Sequence, residues 1–130
     1  MEKEVVEIPV LSDAPRRLGV PLSVCVRAGG FIFVSGLPPI DLSTGEMIQG
    51  DIAAQTEQVL VNIKHTLESA GSSLDRVVKC QIFVTNSAYY RIVNEIYGRY
   101  FPHDPPARTF VAMASWPLEF DIEMECIALA

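Results

Sequence analysis

Histidine is scarce: the 130 residues contain two, His65 and His103. His65 lies inside the helical stretch VLVNIKHTL and His103 in a proline-flanked loop. Neither has the neighbours of a zinc site, and neither gives local support to a Ser–His–Asp arrangement. The three cysteines, Cys25, Cys80 and Cys126, are widely spaced, odd in number and each set in an apolar segment. They read as buried free thiols, not as disulfides or a metal cluster. No apolar run approaches the roughly 20 residues that cross a bilayer. The opening MEKEVVEIPV has neither the apolar region nor the cleavage signal of a secretory leader. The expectation is a soluble, cytoplasmic protein without a metal and without a membrane.

Positive charge is also short. Ten basic residues face sixteen acidic ones, a net charge of −6, and no basic cluster exists beyond Arg16-Arg17. Phosphate neutralisation supplies most of the affinity of general nucleic-acid binding, so that function is disfavoured. One local arginine holding a small anion stays open. A GxSxG elbow, a P-loop and a GxGxxG turn are all missing, and Ser35, in VSGL, is not part of a nucleophile motif.

What is present is an apolar fraction of 49% on a length that suits one domain, residues 1–130, with a proper core. Glu4–Val10 reads as a first strand and Ser12–Pro21 as a loop. Ser23–Val26 and Phe31–Ser35 read as strands around the hairpin signal Arg27-Ala28-Gly29-Gly30. Leu37–Gly50 is a loop with turns. Asp51 caps a helix running to Ala70, with an apolar stripe at Ile52, Thr56, Val59, Leu60, Ile63 and Leu67, and Gly71 ends it. Leu74–Thr85 is a strand on which Val78, Cys80, Ile82 and Val84 alternate with Lys79, Gln81 and Phe83. A second helix spans about Ala88–Phe101, its stripe Tyr89, Ile92, Val93, Ile96, Tyr97 and Tyr100, and Pro102 stops it. Both helices are amphipathic, which predicts an α+β domain: about six strands with two helices packed on one face. The other face is left to water or to another subunit.

The C-terminal stretch PPARTFVAMASWPLEFDIEMECIALA, Pro105–Ala130, organises the rest. It reads as two strands, Arg108–Ala114 and one from Phe120 onwards, joined by a tight connection. Phe120, Ile122, Met124, Cys126 and Ala128 share one face. Asp121, Glu123 and Glu125 share the other, about 6.5 Å apart. Arg108 and a row of acids on adjoining strands make either a site for a small charged substrate or a surface ion pair.

The chain resembles the reactive intermediate deaminase family, the Rid or YjgF-type proteins, over nearly its full length. The matching pieces are AGGFIFVSGLPP (Ala28–Pro39), TGE (Thr44–Glu46), AAQTEQVLVNIKHTLESAG (Ala53–Gly71), VVKCQIFVT (Val77–Thr85), VNEIYGRYFP (Val93–Pro102) and PPAR…WP…IEMECIA (Pro105–Ala128). The resemblance implies a chorismate-mutase-like fold, a homotrimer and active sites in the clefts between subunits. It implies hydrolysis of 2-imino and 2-enamino acids, such as 2-iminopropanoate and 2-iminobutanoate, to 2-oxo acids and ammonia. Older naming called some members endoribonucleases.

By the same resemblance the carboxylate-binding arginine is Arg108 and the glutamate that orients water is Glu123. Ser35, Gly36 and Asn94 take substrate-binding places, as does Phe110, where many members have cysteine. Leu22 stands where many deaminating members have a tyrosine whose hydroxyl enters the site, and Trp116-Pro117 replaces the usual Leu-Pro. Leu22 makes the mouth more apolar and favours a bulkier side group. No metal or organic cofactor is required, because a protonated imine is already activated. Two other functions remain: a module that binds a 2-oxo acid without turnover and, disfavoured by the acidic charge, an endoribonuclease.

Overall fold

A computed structural model describes residues 2–130. Six strands form one sheet: β1 (Glu4–Val6), β2 (Cys25–Ala28), β3 (Phe31–Leu37), β4 (Val77–Val84), β5 (Ala107–Ala112) and β6 (Ile122–Leu129). Their order is β1-β2-β3-β6-β4-β5. Every pairing is antiparallel except β4 with β5, which is parallel. A parallel pair needs a crossover, and helix α3 (Tyr90–Tyr100) supplies it. Helix α2 (Ile52–Ser69) lies over β6 and β3, with α3 packed beside it. The expected α+β architecture, a mixed sheet with two helices on one face, is the one observed.

Alternation explains the layering. Ile32 and Val34 on β3, Cys80, Ile82 and Val84 on β4, and Ile122, Met124, Cys126 and Ala128 on β6 are all buried. They meet Val59, Leu60, Ile63 and Leu67 of α2 and Val93, Ile96 and Tyr97 of α3 in one core. Burying such side chains contributes about 1.5–3 kcal/mol each. The opposite face stays open, with Phe31, Phe33, Val111 and Leu129 exposed on it.

Local chemistry sets the ends of the elements. The Asp51 carboxylate accepts the Ala54 amide at 2.9 Å and starts α2 as expected. Gly29 and Gly30 both take positive φ in the β2–β3 hairpin, which a two-residue turn of matching twist requires. Asn62, buried in α2, donates to the carbonyls of Pro38 and Ile40, each at 3.0 Å. That pair fixes how the chain leaves β3. Gln55 accepts the Asp121 amide at 2.8 Å and donates to the Asp121 carboxylate at 3.2 Å, which fixes the entry to β6.

Several expectations are corrected. Within the anticipated loop Ser12–Pro21 lies a short helix, α1 (Asp13–Leu18), closed by Gly19 at φ +68°. Pro15 falls in its first turn, where the missing N–H has no partner to lose. β1 ends at Val6 and β2 starts at Cys25 rather than Ser23, while Val10 takes φ +71°, a conformation no strand sustains. β4 starts at Val77, after a short 3-10 turn at Leu74–Arg76. A bulge between Val77 and Lys79 leaves Val78 exposed and out of the buried alternation. β5 ends at Ala112. It is not joined to β6 by a tight hairpin, because β4 lies between them.

Candidate active site

Glu123 sits on the open face of β6, half-buried, in a cleft of about 690 Å³. The register of β3 on β6 shifts between Val34 and Leu37, so Ser35 and Gly36 form a bulge against β6. Bulges re-aim neighbouring groups beside functional sites. Here the Glu123 carboxylate lies against Gly36: a Cβ at that position would stand 2.5 Å from Oε1. The Ser35 hydroxyl is occupied, donating to the Ser23 carbonyl at 2.6 Å. Burial pushes Glu123 above the usual carboxylate range, Glu125 adds to the rise, and the Trp116 side chain opposes it. Leu22, Ser35, Gly36 and Glu123 all line this one cleft.

Arg108 is elsewhere. Its β-sheet neighbour is Cys80, which in turn faces Cys126; both are buried under the helices. Paired residues point the same way, so Arg108 projects onto the helix side. Its guanidinium carbon lies 5.0 Å from the ring centre of Tyr97 and 5.8 Å from that of Tyr90, both on α3. Such stacking is worth about 0.5–2 kcal/mol, depending on desolvation. Phe110 meets Tyr90 edge-on at 4.9 Å. On the same helix the Oδ1 of Asn94 is buried without a hydrogen-bond partner. Among the described residues no acid pairs with Arg108; the ion pairs are Arg16–Glu7, Arg16–Asp13, Arg27–Glu4 and Arg99–Glu95.

The arginine and the acid row therefore do not share adjoining strands, and the surface ion pair left open by the sequence does not form. Glu123 is level with Phe83, and Arg108 with Cys126, three residues further along β6. An odd separation reverses the face. Two strand spacings and a three-residue offset put the two Cα atoms about 14 Å apart, with the side chains diverging. Within one chain the seven candidates form two groups: Leu22, Ser35, Gly36 and Glu123 in the cleft, and Asn94, Arg108 and Phe110 beside α3. The other acids have separate surroundings. Asp121 accepts from Thr85 at 2.8 Å and from Gln55, while Glu125 faces Lys79 and Gln81 on the open sheet.

Two groups of residues at these positions escape a reading of the chain. Tyr97 reads as helix core and is buried, while Tyr90 lies off the expected stripe and is exposed. Their spacing of seven, two turns on one face, is the signal that one cation can rest across both. Leu18 and Val20 line the cleft because α1 folds there, and proline and arginine disguised that helix as a loop. The remaining chemistry is quiet. Burial raises the Cys80 thiol to about 11, and Cys25 and Cys126 are raised for the same reason. The His65 Nε2 lies 2.9 Å from the Pro9 carbonyl. No metal-holding cluster occurs among the described residues, and among them no helix is long and apolar enough to cross a membrane.

Comparison with known proteins places the fold and the family. A family model described as Endoribonuclease L-PSP matches residues 13–130. A RutC family protein of Pyrococcus horikoshii is 42% identical over 122 residues, 94% of this chain and 96% of that one. The chloroplastic Reactive Intermediate Deaminase A of Arabidopsis thaliana is 39% identical over 128 residues, 98% of this chain and 66% of that one. The crystal structure of a putative endoribonuclease from Thermotoga maritima superposes with a TM-score of 0.89 at 45% identity, covering 100% of this chain and 98% of that one. With a match across this length, the chain belongs to the reactive intermediate deaminase family, whose model carries the older description Endoribonuclease L-PSP.

Proposed function

We propose that the protein hydrolyses reactive 2-imino and 2-enamino acids to 2-oxo acids and ammonia, at sites shared between copies of the chain in a homotrimer. The observation that carries this is the state of Arg108. Its guanidinium carbon lies over the rings of Tyr97 and Tyr90, and it has no acid partner among the described residues. A planar fork held this way suits a carboxylate, which it grips through two parallel charge-assisted hydrogen bonds. The Asn94 Oδ1, on the same helix, is buried without a hydrogen-bond partner.

Glu123 serves as the base. Its raised proton affinity brings it nearer to working pH, where a general base is most effective. It takes a proton from water as the water oxygen bonds to the imine carbon. Glu123 passes that proton to the nitrogen and then takes the hydroxyl proton as the C–N bond breaks, so that ammonia leaves and the C=O forms. Because Arg108 and Glu123 occupy opposite faces of the sheet, the complete site pairs Arg108 of one copy with Glu123 of the next. The exposed Phe31, Phe33, Val111 and Leu129 of the open face give such copies an apolar surface to bury. The whole chain acts as one domain, in the cytoplasm, without metal or cofactor.

A second function has its own observation. Leu22 brings no hydroxyl to the cleft it lines, which suits a module that holds a 2-oxo acid without turnover. The test generates 2-iminopropanoate and bulkier imino acids with an amino-acid oxidase and follows their loss. Acceleration by the protein, abolished in Arg108→Ala, supports deamination. Binding of 2-oxo acids with no acceleration supports the module. An endoribonuclease is the least favoured by the net charge of −6.

A further inference from the structure

The cleft above Glu123 is larger and more apolar than a two- or three-carbon substrate needs. Three separate segments wall it: Leu18, Val20 and Leu22 from α1 and its exit, Met47 from the β3–α2 loop, and Trp116 and Leu118 from the approach to β6. Leu18 is 59% exposed, Leu22 48% and Leu118 45%. Apolar side chains left in water singly need no explanation, but several converging on one concavity mark a binding site. Its wall is also firm. Trp116 stacks on Phe120 with ring centres 4.4 Å apart, and Arg17 of α1 donates to the Gly45 carbonyl at 2.8 Å. α1 is thereby tied to the loop that carries Met47.

We propose that this cleft is a side-chain pocket and that the protein prefers 2-imino acids with large apolar side groups, branched aliphatic or aromatic, over those derived from alanine. The inference rests on Glu123 facing the reacting carbon. The cleft combines one half-buried carboxylate, Glu123, set against Gly36, with this apolar wall. An occupant with a polar head at Glu123 and a hydrocarbon tail toward α1 matches both. A methyl tail leaves most of the wall wet, whereas a leucine or phenylalanine tail covers it. Leu22 and Leu18 set the preference together with Trp116, which lines the same cleft.

The test titrates the trimer with the 2-oxo acids corresponding to alanine, leucine and phenylalanine and measures turnover of the matching imines. Each buried methylene is worth about 4-fold. The leucine- and phenylalanine-derived acids should therefore bind about 10- to 60-fold more tightly than pyruvate, with kcat/KM in the same order. Leu18→Gln and Leu22→Gln should each cut that ratio by about 5-fold or more, with the pyruvate affinity of each variant as its own reference. Equal affinity along the series, or no binding of any 2-oxo acid, overturns the inference. So does loss of the trimer in Leu18→Gln by light scattering, which makes the wall a subunit contact instead. Turnover of the alanine-derived imine without a preference removes this pocket and keeps the deaminase. The expected affinity ranking with no imine consumed keeps the pocket and removes the deaminase.

Discussion

Arg108 and Glu123 leave one sheet from opposite faces, Arg108 onto the tyrosines of α3 and Glu123 toward Gly36. A site that uses both is split between copies, and a mixing experiment reveals it. Arg108→Ala and Glu123→Gln proteins, each inactive alone, should regain activity when unfolded together and refolded as mixed trimers. Random assembly pairs an intact arginine with an intact glutamate at about a quarter of the sites, so about a quarter of wild-type activity should return. Light scattering should give three times 14.3 kDa for the wild type and both variants. Failure to complement in a confirmed mixed trimer places both residues' functions within single chains.

Gly36 gives a sharper local test. In Gly36→Ala the new methyl meets Glu123 Oε1 at 2.5 Å, too close for both to stay. The obstacle is the end of a flexible side chain, so the carboxylate turns away and the sheet holds. Turnover should fall about 10-fold or more, while the melting temperature stays within a few degrees. A large loss of stability with turnover intact makes Gly36 a packing residue only.

Glu123→Gln keeps the shape and removes the base. Turnover should drop by about 10²-fold or more, with 2-oxo acid binding largely kept. The same substitution carries a pH signature. Burial raises the Glu123 proton affinity in the folded state, so folding favours the protonated acid. The stability that this gives is complete below the unfolded-state value and is lost as pH rises through the folded-state value. The glutamine variant should therefore melt higher than wild type at neutral pH, and the gap should close as pH falls into the carboxylate range. In wild type, kcat/KM should fall with acid at a pH above the ordinary glutamate value. A melting gap that is constant from neutral to acid pH removes the buried-acid assignment.

The tyrosine brace separates position from charge at Arg108. Arg108→Lys should fail almost as badly as Arg108→Ala, since lysine offers a point donor in place of a planar fork. Loss of the paired hydrogen bonds costs about 1.5–3 kcal/mol in kcat/KM. Tyr97→Phe keeps the ring under the guanidinium and should leave KM within a few-fold of wild type. Tyr97→Leu removes the ring and should raise KM well beyond that. Equal KM in the two variants leaves Tyr97 as core packing alone.

Alternation and helical spacing are local properties, and the chain declares them. The capped start of α2 at Asp51, the glycine hairpin before β3 and the buried row Ile122, Met124, Cys126 and Ala128 all follow from neighbours in sequence. The α+β class and the covered face follow from the same patterns, because each helix carries only one apolar stripe. Alternation brought Arg108 and the acid row Asp121, Glu123 and Glu125 forward, and the resemblance gave Arg108 and Glu123 their separate roles. α1 was hidden because a proline in the first turn and two arginines look like loop chemistry, whereas Gly19 closes it and Ala14 packs into the core.

Strand order belongs to tertiary structure alone. β5 and β6 are consecutive in sequence, and nothing in their residues says that β4 inserts between them. That insertion, with a register set by the whole sheet, turned Arg108 and Glu123 to opposite faces and divided the candidate residues into two groups. The sequence by itself determined which side chains are apolar, where helices can start and stop, and which residue types are available for chemistry. Their distribution over two surfaces was decided by long-range backbone pairing, since a side chain's face depends on its parity in a register that neighbouring residues do not encode.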